Sequence, residues 1–152
     1  MILSAPGMST LMNNMEKILR VWFEDGRIFV ATDKERVLSR PLEAFPVLKE
    51  ASDEQRLMYE IGKDGDDLRW ADLDEDIHIS SFYDSAEPDP DNVIACVFRR
   101  FPQLNVSEMA RTIGINKSLL SRYIYGIKKP SPQRQEQIIS AIRQLGREMA
   151  EI

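Results

Sequence analysis

The chain has 152 residues, 43% of them hydrophobic and 30% charged, with 25 Asp or Glu against 20 Lys or Arg and a net charge of −5. Its single cysteine, Cys96, excludes an internal disulfide and suits a reducing cytoplasm, and its single histidine, His78, excludes a multi-histidine metal site. No stretch has the apolar length of a membrane-spanning helix.

Residues 1–14 lack the basic start and sustained apolar run of a signal peptide, and are expected to be poorly ordered, with Met15 as an alternative start. Structure is expected to begin with a hairpin. The runs Ile18-Leu19-Arg20-Val21-Trp22-Phe23 and Ile28-Phe29-Val30-Ala31 flank Asp25-Gly26, a pair suited to the positive φ angles of a two-residue turn. Val37 to Arg40 adds a short strand, and a loop through Pro41 and Pro46 leads to a helix that Ser52 or Asp53 caps and that carries Gln55, Arg56 and Met58. Tyr59-Glu60-Ile61 and Leu68-Arg69-Trp70 flank Lys63-Asp64-Gly65-Asp66 as a second hairpin. About 70 residues is near the lower limit for a self-sufficient core.

Asp72, Asp74 and Asp76 alternate like the start of a calcium loop, but Ile77 stands where the turn glycine belongs and Tyr83 where the bidentate glutamate belongs. No metal site is expected there, only an acidic turn leading into a strand. The run Trp70-Ala71-Asp72-Leu73-Asp74-Glu75-Asp76-Ile77, with Pro41-Leu42 and Pro46-Val47-Leu48, resembles a family of small bacterial domains of unknown function over residues 18–82. Members occur alone or ahead of a Cro-type domain, and some are proposed antitoxins. The resemblance implies no activity.

Ser85-Ala86-Glu87-Pro88-Asp89-Pro90-Asp91 is polar and twice interrupted by proline, which makes residues 85–91 a linker of limited flexibility. Asp89 can cap a helix with Pro90 in its first turn, so residues 91–101 are expected to be helical and to carry Val93, Ile94, Val97 and Phe98 inward. Cys96, on the same helix, reads as a small apolar side chain.

Residues 106–127, VSEMARTIGINKSLLSRYIYGI, carry the spacing of a helix-turn-helix. Ala110 lets a second helix cross closely, Gly114 can end the first helix in a left-handed conformation, and Leu120 falls on the inner face of the second with Met109, Ile113, Ile115 and Tyr123. Asn105 caps the first helix, with Glu108 returning a bond as a capping box, and Asn116 caps the second, which ends at Gly126. Ser131 and Pro132 open a final helix over residues 133–149.

On the second helix Lys117, Ser118, Ser121 and Arg122 lie at i, i+1, i+4 and i+5 and form a polar stripe opposite Leu120 and Tyr123. These four are the candidate contacts to DNA bases, with Leu119 able to meet a thymine methyl. Asn116, Lys128 and Lys129 are the candidate phosphate contacts, since they flank the helix ends. The segment resembles the Cro and phage-repressor class of helix-turn-helix domains over residues 92–142, including a glycine and a proline after the recognition helix, here Gly126 and Pro130. The resemblance implies a bundle of four or five helices, with DNA contacts at Asn116, Lys117, Ser118, Ser121 and Arg122. The family often has a phosphate-binding glutamine at the start of the first motif helix; here that position is Val106.

Charge divides the chain in the same place. Through Pro90 there are 10 Lys or Arg against 20 Asp or Glu, and from Asp91 onward 10 against 5, so the parts carry −10 and +5. This is the balance of a nucleic-acid module attached to an acidic companion. The expected class is therefore α+β: an acidic two-hairpin-plus-helix domain over 15–84, then an all-α helix-turn-helix bundle over 92–152. The expected function is sequence-specific binding of double-stranded DNA by a cytoplasmic regulator, with no catalytic residue, metal or cofactor and no membrane partner. The acidic domain would sense or bind a protein partner. The alternative is an antitoxin-like interaction module in which the helix-turn-helix is only scaffold. Ile138, Ile139, Ile142, Leu145 and Met149 form an apolar stripe on the final helix that either makes a homodimer, closes the bundle or docks on the N-terminal domain.

Overall fold

The structure, a computed structural model, describes residues 16–89 and 91–152. The readings made for residues 1–14, Met15 and Pro90 lie outside them. The chain is of the α+β class and divides into two compact units: the first runs to Leu42 and over Val47–Ser85, and the second takes Glu43–Pro46 and Ala86–Ile152. Among the described residues no helix is long and apolar enough to cross a membrane.

The first unit holds two antiparallel meanders. Strands β1 (Ile18–Glu24), β2 (Arg27–Thr32) and β3 (Val37–Pro41) pair in that order, and the turn between β1 and β2 carries Asp25 at φ 52° and Gly26 at φ 72°. Both angles are positive, as a two-residue turn that follows the strand twist requires. Alternation then sorts the side chains. Ile28, Val30 and Thr32 are buried, whereas Trp22 and Phe29 face each other across the strands on the opposite side, stacked with ring centroids 5.4 Å apart. The Arg20 guanidinium lies over the Trp22 ring at 4.4 Å.

Helices α1 (Pro46–Glu50) and α2 (Asp53–Arg56) replace the single expected helix. Ser52 and Gln55 close a reciprocal capping box, with Gln55 N donating to Ser52 Oγ at 3.1 Å and Ser52 N to Gln55 Oε1 at 2.9 Å. Arg56 ends the segment by donating to the carbonyls of Leu48 and Lys49, each at 2.8 Å, so Met58 falls beyond the helix and is exposed.

The second meander is β4 (Glu60–Ile61), β5 (Asp67–Trp70) and β6 (Glu75–His78). The strand after the acidic turn makes the expected hairpin three-stranded. Trp70 is 1% exposed, and its indole N–H donates to Arg56 O at 2.9 Å, which satisfies the polar end of a buried ring. The aspartates of the turn are held by the sheet itself: Arg69 reaches Asp74 and Asp76, each at 2.9 Å. His78 accepts from Ser80 N through Nδ1, and its Nε2 lies 3.4 Å from Asp66.

One buried carboxylate closes the unit. Glu16 is 1% exposed; it accepts from Thr32 Oγ1 at 2.6 Å and from the Tyr83 hydroxyl, and pairs with Arg36 at 3.3 Å. Burial pushes its carboxyl up, but the bonds from Thr32 and Tyr83 and the charges of Arg36 and Lys34 outweigh it and hold Glu16 below the usual carboxylate range. Tyr83 is pushed the other way, up, by burial and by the bond it gives to Glu16.

A group whose acidity is strengthened by folding stabilises the fold above its unfolded pKa and stops doing so as pH falls through its folded value. Glu16→Gln should therefore cost about 1 to 3 kcal/mol above pH ~5, and the gap to the wild type should shrink as pH falls below ~4. Urea unfolding from pH 3 to 7, followed by tryptophan fluorescence, reads this directly, because both tryptophans, Trp22 and Trp70, lie in the first unit. A gap that stays constant with pH would remove Glu16 from the acid response.

Candidate nucleic-acid interface

The second unit is built of α3 (Val93–Arg100), α4 (Val106–Ile113), α5 (Lys117–Tyr125) and α6 (Pro132–Ala150). Its core is Ile94, Phe98, Met109, Ala110, Leu120, Tyr123 and Ile138, with Ile113 and Ile115 packed against it. Leu120 is 0% and Ala110 2% exposed, so the two positions that set the helix crossing are closed to water.

Each helix boundary has a chemical cause. Asn105 accepts from Glu108 N at 3.0 Å, Asn116 from Ser118 N at 2.7 Å and Ser131 from Arg134 N at 3.1 Å. Helices α4 and α5 end alike, at Gly114 (φ 85°) and Gly126 (φ 79°). Ile115 N bonds Ala110 O at 3.0 Å, and Ile127 N bonds Arg122 O at 3.0 Å; these are the long bonds of a Schellman cap.

Some expectations are corrected. The capping box on α4 is only half formed, because both Glu108 carboxylate oxygens accept from Arg111, at 2.7 and 2.8 Å. Helix α3 is capped by Asn92, whose side chain accepts from Ala95 N at 2.9 Å, so it starts at Val93 rather than beyond Asp89. On this helix Ala95 is buried in place of Val93, which is 50% exposed, and Cys96 is exposed, with Arg99 donating to its sulfur at 3.3 Å.

The polar stripe loses one member. Ser121 is 4% exposed, so it is not available to a base edge. Lys117 is exposed, and Ser118 and Arg122 are partly buried. Leu119 packs against the core instead of standing free for a thymine methyl. Of the phosphate candidates, Asn116, Lys128 and Lys129 are all exposed; the Asn116 Oδ1 caps α5. Ser118, Arg122 and Lys117 thus lie on the helix while Asn116 sits at its start and the two lysines after its end.

A close approach that the spacing did not signal fixes the end of α5. A Cβ on Gly126 would lie 2.1 Å from Asp89 O and 2.4 Å from Asp89 N, so the backbone at Asp89 passes directly against the glycine. Asn92 Nδ2 holds it there by donating to Asp89 O at 2.7 Å. The apolar stripe of α6 is also resolved in part: Ile138 is fully buried, Ile139, Ile142 and Leu145 pack on the same core, and Met149 is 56% exposed. Most of the stripe therefore closes the bundle.

A family model described as a protein of unknown function (DUF2442) matches residues 18–88, the strands and short helices of the first unit. No curated protein matches the chain. Among solved structures, a solution structure of an uncharacterized protein from Chromobacterium violaceum shows 21% identity and a TM-score of 0.41, over 57% of this chain and 91% of its own. A crystal structure of a protein from Nitrosomonas europaea, named as a proposed DNA-binding protein, shows 17% identity and a TM-score of 0.34, over 82% of this chain and 84% of its own.

The two glycine caps separate backbone conformation from contact. A Cβ on Gly114 would meet nothing within 4 Å, so Gly114→Ala carries only the positive-φ cost of about 1 kcal/mol. Gly126→Ala adds a clash with Asp89 backbone and should cost at least about 2 kcal/mol more. Thermal unfolding followed by far-UV circular dichroism compares them, and equal losses would show that the Asp89 contact yields freely.

Proposed function

We propose that the chain is a sequence-specific double-stranded DNA-binding regulator that lays α5 in the major groove. The observation that carries this reading is the outward side of α5 and its flanks: Lys117, Ser118 and Arg122 on a helix whose opposite side is sealed by Leu120 and Tyr123, with exposed Asn116, Lys128 and Lys129 at its two ends. A helix docked by its side chains needs donors along its middle for base edges and cations at its ends for the two backbones that border the groove. In this reading the acidic first unit is the sensing or partner-binding half. Two copies act on paired half-sites about one helical turn apart, because one nine-residue helix offers few base contacts.

Gel shifts with random and with selected duplexes test it. The wild type should retain a subset of sequences, protected as two half-sites in a footprint. Lys129→Ala should weaken every sequence alike and lower the slope of log affinity against log salt by about one. If no duplex is retained at low salt the reading fails, and a single half-site footprint removes the pairing.

A further inference from the structure

We propose that the outer face of the sheet formed by β1, β2 and β3 pairs with the same face of a second copy, across a two-fold axis at Trp22. The inference rests on the reading of this chain as acting in two copies, and it gives that pairing a surface, since most of the α6 stripe closes its own bundle. The core side of the sheet is Ile18, Val21, Ile28 and Val30, all buried. Register places the alternate set on the other side, with Arg20 in one row with Val37, Trp22 with Phe29, and Glu24 with Arg27. The bulge between Ile18 and Arg20 turns Leu19 outward as well.

The composition of this face is that of an interface rather than of a solvated sheet. The stacked rings of Trp22 and Phe29 are only partly buried, and Leu19 and Val37 beside them are 63% and 62% exposed. An apolar centre built on an aromatic pair, with charges at its border, is the arrangement by which protein surfaces associate.

The charges select the occupant. Arg20 and Glu24 are both exposed, and neither has an ion-pair partner among the described residues; Arg20 only lies over the Trp22 ring. They stand two positions before and two positions after Trp22 on one strand, so they flank it at equal offsets of about 7 Å. A two-fold axis lying between the faces and crossing β1 at Trp22 runs the two β1 strands antiparallel, and carries Arg20 of each copy over Glu24 of the other. Both unmet charges are then met twice, while the rings close the centre. The same face is also where two acidic units repel each other least. The stretch through Pro90 carries −10, yet the outward positions of these strands hold two arginines and one glutamate.

Sedimentation velocity of the full chain across the micromolar range, without DNA, tests it. The wild type should dimerise, and tryptophan emission should move to shorter wavelength as it does, because Trp70 is already buried and only Trp22 gains cover. Arg20→Glu and Glu24→Arg should each raise the dimer dissociation constant at least about tenfold, since each sets like charges opposite one another at two symmetric contacts. Mixing the two variants should return the association to near the wild-type strength, because opposite charges then face each other at both contacts. Val37→Glu, at an exposed position that folding does not depend on, should weaken the dimer with an unchanged far-UV circular dichroism spectrum. The inference is overturned if the wild type is a monomer throughout, if its dimer ignores the charge variants, or if the mixture associates no better than either variant alone. Gel shifts on the same preparations keep the two readings apart: a dimer of the expected behaviour that retains no duplex sinks DNA binding and upholds the surface, whereas a monomer that retains duplex sinks the surface alone.

Discussion

The close crossing of α4 and α5 at Ala110 and Leu120 is the constraint on which the second unit depends. Leu120 is fully buried and Ala110 nearly so, and the turn between the helices is made by Gly114, Ile115 and Asn116. A larger side chain at Ala110 would push the helices apart in a well-packed core, at a cost of about 1 to 3 kcal/mol. The rotation of α5 follows from this contact. With Leu120 and Tyr123 inward, Ser118 and Arg122 lie toward the outside; Ser121, although on the same side of the wheel, is covered.

That consequence separates what was legible in the residues from what was not. Helix ends were legible because they are set by local chemistry: an asparagine amide two or three residues ahead of a free N–H, and a glycine able to hold a positive φ, give α4 and α5 the boundaries the sequence implies. Rotation about a helix axis was less so. A wheel places Ser121 inside the polar stripe, between Lys117 and Ser118, and whether such a residue is covered depends on how the neighbouring helices seat, which no local pattern contains. The start of α3 failed for a related reason. Asp89 followed by proline and Asn92 are both competent caps, and the structure uses Asn92 for the cap while the Asp89 backbone is placed against Gly126.

In the first unit the turns were legible and the carboxylates were not. Asp25-Gly26 announces its hairpin through the positive φ it tolerates. Nothing in the spacing connects Glu16 to Thr32 and Tyr83, separated by 16 and 67 positions, or Arg69 to the aspartates of the acidic turn. Such pairs depend on tertiary approach, and a run of alternating aspartates reads the same whether it awaits a cation or is already held by an arginine in the neighbouring strand.

The uneven charge takes on physical meaning once partners are assigned. In the first unit Arg36, Arg40, Arg56 and Arg69 each face a carboxylate, on Glu16, Asp84, Asp53 and the pair Asp74 and Asp76. Four of its ten cations are thus engaged at home. In the second unit Arg111 is engaged by Glu108, but Arg122, Lys128 and Lys129 meet no carboxylate among the described residues. A positive charge already paired contributes little field beyond its partner, whereas an unpaired one attracts a polyanion across a Debye length of about 10 Å at 0.1 M salt. Unpaired positive charge in the second unit is concentrated around α5 and the loop after it, where Arg122, Lys128 and Lys129 fall within eight residues of one another.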